Sequence, residues 1–171
     1  MRARALIGSV VVFLAFAAGA SADRSLSSMT LQLGDLPTGY MQSKSSACPA
    51  SCVKKAQGSV PAGFVSGWER DFAAGLKQII SDVSLYRSTI TAKASVRSAW
   101  VGAERHGCKR VSMAEKIGNE ARMYLCKQSG VSFYAVSWRS GSFKATIFLI
   151  GYVVGGDLAA GLAVKQQTRM K

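Results

Sequence analysis

The chain has 171 residues, with 22 Lys and Arg against 9 Asp and Glu, four Cys and a single His. This length suits one domain and is too short for two enzyme domains joined by a linker. A hydrophobic content of 49% excludes a disordered tail, because such a chain buries enough apolar surface to offset the entropy lost on ordering.

Residues 1–22 are organised like an export signal. Arg2 and Arg4 give a positive start, residues 5–20 are uncharged and mostly apolar, and residues 20–22 (Ala-Ser-Ala) supply the small side chains of a cleavage site. We predict cleavage before Asp23 and a secreted or periplasmic mature chain. Only two Arg and no acid are then removed, which leaves 20 basic and 9 acidic residues and a formal charge of +11. An uncleaved anchor is the alternative, although roughly 16 apolar residues fall short of the ~20 that a bilayer core requires.

All four Cys lie in the exported part, and an even number in an oxidising compartment favours two disulfides. Of three possible connectivities we predict Cys48–Cys52 and Cys108–Cys126, because each pair is close in sequence. The second bridge closes about 19 residues, which stabilises the fold by roughly 3 kcal/mol. A zinc site and a redox-active thiol pair are the alternatives. Zinc would have only His106 as a further ligand, and redox pairs are normally separated by two residues rather than three.

Residues 23–63 are predicted to be irregular, with a Pro/Gly turn at 36–40, a surface loop over 43–60 and space for a short helix at 51–57. Alternation then predicts strands at 64–73 and 77–86, joined by a turn at residues 74–75. Ala and Val at three- and four-residue steps predict a helix over 89–106. Ser88 or Thr89 would cap its start, and Gly107 would end it.

A strand at 121–128 precedes a hairpin of residues 131–139 and 142–152, whose two-residue loop is Ser140-Gly141. The hairpin register predicts three core pairs: Trp138 with Phe143, Val136 with Ala145, and Tyr134 with Ile147. The opposite face is predicted to be solvated near the loop, where it carries Ser137, Arg139, Lys144 and Thr146. Farther from the loop, Phe133 lies beside Phe148 on this face, and a helix could cover this end of the hairpin. Asp157 is predicted to cap a last helix over about 158–169.

This order of elements predicts an α+β fold, an antiparallel sheet of five or six strands with two helices packed on one face. The predicted organisation is a signal peptide at 1–22, an irregular N-terminal segment with a local disulfide at 23–63, and an α+β domain at 64–171.

Three short segments carry a resemblance to known proteins: residues 36–40 (Leu-Pro-Thr-Gly-Tyr), 117–121 (Ile-Gly-Asn-Glu-Ala) and 138–141 (Trp-Arg-Ser-Gly). With them the chain resembles small exported bacterial α+β domains, either PsbP-like or of the type found as extracellular sensor domains of kinases and in lipoproteins. The resemblance covers about residues 30–170 and implies an exported α+β architecture. Most such domains have no assigned chemistry, so it implies no activity.

Catalytic motifs are absent from the sequence: it has neither a nucleophile elbow nor a phosphate-binding loop. The best acid pair is Glu69 and Asp71, whose Cα atoms would lie roughly 7 Å apart on one strand face. Such a pair would suit glycoside cleavage, and charge pairing with nearby bases is the alternative. His106 falls in the last turn of a helix, where a cation suits the helix dipole better than a general base would. We therefore predict no catalytic residue, no cofactor and no metal.

Basic residues give the main functional indication, because many of them fall within one stretch of the chain. A cationic exported domain is attracted to anionic polymers or membrane surfaces, and this attraction weakens as salt rises. The alternative is that these charges only maintain solubility. Specific nucleic-acid binding is not predicted, since Trp100, Tyr124 and Trp138 occupy positions typical of a core. The candidate ligand-binding patch consists of Arg105, Lys109, Arg110, Lys116, Arg122 and Lys127.

The sequence thus predicts a secreted, non-enzymatic binding or sensor module of the bacterial cell envelope. Its basic surface would contact an anionic envelope polymer, a membrane surface or a protein partner. A small secreted hydrolase that uses Glu69 or Asp71 is the alternative. A structural partner protein with an exposed patch around Phe133 and Phe148 is a third hypothesis.

Overall fold

The computed structural model describes residues 25–171, so the predicted export segment and its cleavage site lie outside the described residues. In chain order the elements are α1 (Leu26–Met29), a single 3-10 turn (Leu33–Asp35), β1 (Met41–Cys48), α2 (Ala50–Gln57), β2 (Phe64–Ala74), β3 (Lys77–Tyr86), α3 (Thr89–Arg105), β4 (Lys109–Val111), β5 (Glu120–Gln128), β6 (Val131–Ser140), β7 (Phe143–Ile150) and α4 (Gly156–Arg169).

The strands form one antiparallel sheet in the order β1-β2-β3-β7-β6-β5-β4, with β7 in the middle. The predicted sheet of five or six strands with two helices is therefore wrong: residues 25–171 contain seven strands and four α-helices. Residues 41–48 are mostly polar and carry no alternation, yet they pair with β2 as an edge strand. Strand β4 has only three residues, too few to show a period.

The two long helices pack on opposite faces of the sheet rather than on the one face predicted. Consecutive side chains of a strand point to opposite faces. The indole of Trp100 in α3 donates to Ser137 Oγ at 2.8 Å, while the next residue, Trp138, donates through Nε1 to Oε1 of Gln167 in α4 at 2.8 Å. The sheet therefore has an α3 face and an α4 face.

The main core lies on the α4 face. The side chains of Phe72, Ile79, Ile147 and Leu149 are fully buried there together with Leu162 of α4. Trp138, Val136 and Ala145 belong to the same cluster, as predicted for the core side of the hairpin.

The predicted hairpin register is wrong by two residues. Ser140 pairs with Phe143, so the loop is Gly141-Ser142, and Trp138 pairs with Ala145 instead of Phe143. A slip of two residues keeps every side chain on its face, because strand side chains alternate with a period of two. The predicted core residues survive the error for this reason.

The predicted cap is correct for α3 and wrong for α4. Ser88 accepts a hydrogen bond from the backbone N–H of Thr91 at 3.2 Å, which confirms it as the cap of α3. Helix α4 begins with Gly155 at its cap, and Asp157 lies in the first turn instead. A Cβ on Gly155 would stand 2.8 Å from the end of the Leu149 side chain, so a larger capping residue would require Leu149 to shift.

The turn at residues 117–121 is packed against the β6–β7 hairpin. Gly118 has a φ of +55°, and a Cβ there would lie 2.3 Å from the carbonyl oxygen of Arg139. The N–H of Asn119 donates to the same oxygen, and Glu120 forms an ion pair with the Arg139 guanidinium at 3.0 Å. Two of the segments that carry the resemblance are thus a single structural unit.

Both predicted disulfides are present: Cys48 is bonded to Cys52, and Cys108 to Cys126. Disulfides persist in oxidising compartments, which agrees with an extracytoplasmic location. Within residues 25–171 no helix has the length and apolar character to cross a membrane.

Candidate functional site

A row of polar side chains crosses the α3 face of the sheet from edge to edge. Each member is the direct cross-strand partner of the next, so the row follows from the strand register alone. We call this set the polar row: Ser46, Glu69, Asp82, Thr146, Ser137 and Arg122.

Helix α3 covers the β6 and β5 end of the polar row. Trp100 donates to Ser137, and the guanidinium of Arg122 stacks over the Trp100 ring at 4.5 Å from its centroid. Ser137 and Thr146 are each only 6% exposed. The prediction of a solvated face near the hairpin loop is therefore wrong, because α3 lies across it.

The middle of the row, from Glu69 through Asp82 and Thr146 to Ser137, lines a cavity of about 580 Å³ between α2, α3 and the sheet. This volume is within the range of small-molecule sites, which are typically about 300–1,000 Å³. Its apolar lining comes from α2, α3 and three strands and includes Val53, Phe64, Ala99, Ala103, Phe133 and Phe148. Polar side chains on the sheet face include Glu69, Asp82, Ser84, Lys144 and Thr146.

The two disulfides hold the walls of this cavity, and all four half-cystines line it. Cys48–Cys52 ties the end of β1 to α2, and Cys108–Cys126 ties the segment after α3 to β5. The bonds thus link the elements on both flanks of the cavity.

Asp82 and Lys144 are the ionisable groups of the cavity with the strongest perturbation. Burial raises the pKa of Asp82 to about 7, and the neighbouring Glu69 adds to the increase, while Lys144 and Thr146 oppose it. Burial lowers the pKa of Lys144, against the attraction of Asp82. Both side chains are half-buried and line the cavity, so a ligand there could meet them.

Only one member of the predicted acid pair lines the cavity. Glu69 lines the cavity and forms an ion pair with Lys44 of β1. Asp71 points to the same face but is not among the lining residues. Its Oδ1 is buried and accepts no hydrogen bond from any described residue, and burial together with Glu69 raises its pKa.

The lone His and the basic patch lie at different places. His106 is the exposed cap residue that follows α3, and it borders the cavity. Lys109 and Arg110 are neighbours on the edge strand β4, so their side chains point to opposite faces. Arg122 is held by Trp100 and by Glu104, 3.1 Å away, and Lys127 is near the end of β5. Arg105 ends α3, and Lys116 lies in the loop before β5.

Asp82 and Lys144 were not predicted as site residues, although one signal in the sequence was available. Each is a charged residue in the interior of a strand whose neighbours on the other face, Val83 and Ala145, are fully buried. A charge at such a position is expected only at a sheet edge, at a solvated face or at a site. The position of β3 and β7 in the middle of the sheet, which decides among these, is not visible in the sequence.

The geometry can hold an amphipathic small molecule, with its apolar part against the aromatic wall and a polar group near Asp82 and Lys144. The part of the chain that the structure describes has no cluster of three or more His, Cys, Asp or Glu able to hold a metal.

No protein-family model matches the chain, and no curated protein is similar to it in sequence. Among solved structures, the chain is similar to the extracellular domain of PknH from Mycobacterium tuberculosis, with a TM-score of 0.59 and 11% identity, covering 83% of this chain and 94% of that one. An uncharacterized protein from Mycobacterium smegmatis gives a TM-score of 0.34 and 12% identity, covering 82% of this chain and 80% of that one. The first comparison shows a shared fold with an extracellular domain of a bacterial protein.

Proposed function

We propose that this protein is a non-enzymatic binding module of the bacterial cell envelope whose ligand occupies the cavity on the α3 face. The observation that carries the proposal is a cavity of ligand size that combines aromatic walls with an ionisable pair at its sheet face. Two disulfides and a fold shared with an extracellular domain support a role outside the cytoplasm.

The ligand class follows from the lining. Phe133 and Phe148 lie with ring centroids 6.2 Å apart, and Phe64 meets Tyr86 edge-on at 6.0 Å, so the walls favour an apolar or aromatic body. Lys144 and Asp82 favour one polar or charged group on that body, because a buried ionisable group gains most from a partner that replaces lost water. We propose an amphipathic small molecule.

The basic residues would attract the protein to anionic surfaces, whereas the ligand would bind in the cavity. A strongly basic exported chain concentrates at anionic envelope polymers and surfaces, which would bring the cavity close to molecules released there. The candidate patch of six basic residues remains a prediction and has its own test in the Discussion.

The proposal is tested with the fluorescent amphipath 1-anilinonaphthalene-8-sulfonate, whose ring system and sulfonate match the cavity lining. Ala99→Phe places a large side chain into the cavity from α3, whereas Ala94→Phe adds the same side chain at an exposed position of the same helix. We expect saturable binding by the wild type and by Ala94→Phe, and loss of binding in Ala99→Phe. Equal binding by all three proteins would contradict the proposal. Near-ultraviolet circular dichroism controls for loosened packing, which also binds this dye.

A small hydrolase is the second candidate, and one observation favours it. Glu69 and Asp82 are direct cross-strand partners in the cavity, which places their Cβ atoms about 5 Å apart. An Asp with a pKa of about 7 beside a second carboxylate has the pattern of a general acid with a nucleophile or base. Asp82 would then take the place of the predicted Asp71, which does not line the cavity.

Chromogenic glycosides and esters distinguish the two candidates. The binding module is expected to turn over none of them. A hydrolase would release nitrophenol with a rate that falls by about 10²-fold or more in Glu69→Gln and in Asp82→Asn, as loss of acid–base catalysis requires.

A further inference from the structure

One end of the molecule exposes aliphatic side chains that no described element covers. Leu76 is 97% exposed, Val153 92%, Val154 86% and Met41 74%. We call these four residues the apolar tip. Single exposed aliphatics are ordinary on soluble proteins, whereas several that gather at one place mark a contact surface.

Three separate segments bring the apolar tip together. Met41 starts β1 opposite Ala73, close to the β2–β3 turn that carries Leu76. The loop after β7 lies against the same turn: Gly151 has a φ of +81°, and a Cβ there would be 2.6 Å from the carbonyl oxygen of Leu76. Only glycine permits this approach, so the loop carrying Val153 and Val154 is held beside Leu76.

One amphipathic pair borders the apolar tip: Lys77, an exposed residue next to Leu76, has its Nζ 4.9 Å above the ring of the half-buried Tyr152, which precedes Val153. The Tyr152 hydroxyl contacts that of Tyr40, which is buried in the main core. A tyrosine ring with a polar end and a lysine with a long apolar stem are typical of the boundary between lipid tails and headgroups. Asp157, at the start of α4, is the nearest carboxylate along these segments.

We propose that the apolar tip inserts into the surface of an anionic lipid bilayer. Residues 23–171 carry a formal charge of +11, and Lys77 stands beside the tip, so anionic headgroups complement its charge. Each tip side chain projects almost fully from a turn or a strand end rather than lying on a flat face, which suits insertion between lipids. A protein interface would instead favour a packed surface with Trp, Tyr or Arg anchors at its centre. This inference is independent of the cavity, whose lining shares no residue with the apolar tip.

The test uses the oxidised chain from Asp23 to Lys171, which keeps every described element. Its partition is measured on phosphatidylcholine vesicles and on vesicles with 30% phosphatidylglycerol. One variant combines Leu76→Ser, Val153→Ser and Val154→Ser. The control is Ile90→Ser, which removes an aliphatic side chain that is 77% exposed at the start of α3. All four positions are exposed, so the fold is expected to survive, and circular dichroism checks that it does.

We expect the wild type and Ile90→Ser to bind the anionic vesicles, and the triple variant to bind at least about tenfold more weakly, as loss of even one buried aliphatic side chain implies. Absence of vesicle binding by the wild type, or equal binding by the triple variant, would overturn the proposal. Sedimentation velocity gives the other outcome. Self-association that disappears in the triple variant, without vesicle binding, would assign the apolar tip to a second copy of the chain.

Discussion

Asp82 occupies the middle of β3, where strand pairing places it between Glu69 and Thr146 on the sheet face that lines the cavity. Its ionisation is opposed chiefly by burial, and Lys144 compensates only in part. The residue is therefore held at a cost to stability, as is common where a site is retained for function rather than for folding.

Asp82→Asn tests this cost through pH. The pKa of Asp82 is about 7 in the fold against a reference value of 3.8, so the folded protein keeps a proton that the unfolded chain has lost between these limits. The contribution of Asp82 to stability must then fall as pH rises from about 4 to 7, where the folded state holds the extra proton, and it stays low above that range. Urea unfolding should show wild type losing stability relative to Asp82→Asn between pH 5 and pH 8. A difference that does not change with pH would contradict the raised pKa.

Gly118 offers a second test at a single residue. Gly118→Ala combines a positive φ with a Cβ that would be 2.3 Å from the Arg139 carbonyl oxygen, whereas Gly130→Ala has a positive φ and an open surrounding. The control is expected to cost about 1 kcal/mol, and Gly118→Ala at least about 3 kcal/mol, because strain and overpacking add to the backbone term. Equal free energies of unfolding for the two variants would show that the turn does not pack on the hairpin as described.

Among the elements, those with strong periodicity were predictable. The helix α3 and the two hairpins were found because apolar side chains repeat at steps of three to four or of two along them. Strand β1 was missed because it is an edge strand whose polar side chains are mostly exposed. The sequence also did not show whether helices cover one face of the sheet or both. Ser137 and Thr146 are polar but buried, since their partners come from α3 and from neighbouring strands.

The site was predictable only in part for the same reason. Glu69 was identified from sequence, whereas Asp82 becomes its partner only through cross-strand pairing. The cysteine pairs were found because short sequence separations left few alternatives, but nothing in the sequence indicated that both bonds flank one cavity.

The two disulfides should differ in their contribution to stability. Cys108–Cys126 spans 18 positions and Cys48–Cys52 spans four, so chain entropy predicts a loss of about 3 kcal/mol for Cys108→Ala/Cys126→Ala and about 2 kcal/mol for Cys48→Ala/Cys52→Ala. Urea unfolding of both double variants under oxidising conditions measures this order. The reverse order would mean that the Cys48–Cys52 bond to α2 stabilises the fold by more than its effect on the entropy of the unfolded chain.

The whole molecule combines a fold that is shared with an extracellular domain and an excess of basic residues. A shared fold with an extracellular domain does not by itself assign a ligand, because folds host many functions. The excess of basic residues acts over a longer range and is screened by salt.

Retention on heparin resin tests the predicted basic patch. Lys109→Gln/Arg110→Gln removes two charges from the patch, and Lys54→Gln/Lys55→Gln removes two exposed charges from α2 as a matched control. Elution is expected at lower salt for the first variant than for the control, because the predicted patch holds four further basic residues, whereas Lys54 and Lys55 are a separate pair. Identical elution of the two variants would mean that overall charge, not the patch, decides retention.

Native mass spectrometry shows directly whether the cavity holds a small amphipathic molecule. The oxidised protein is mixed with a lipid and metabolite extract of bacterial envelopes and desalted before measurement. We expect a discrete added mass on the wild type and on Ala94→Phe that is absent from Ala99→Phe. The same added mass on all three proteins, or none on the wild type, would contradict it.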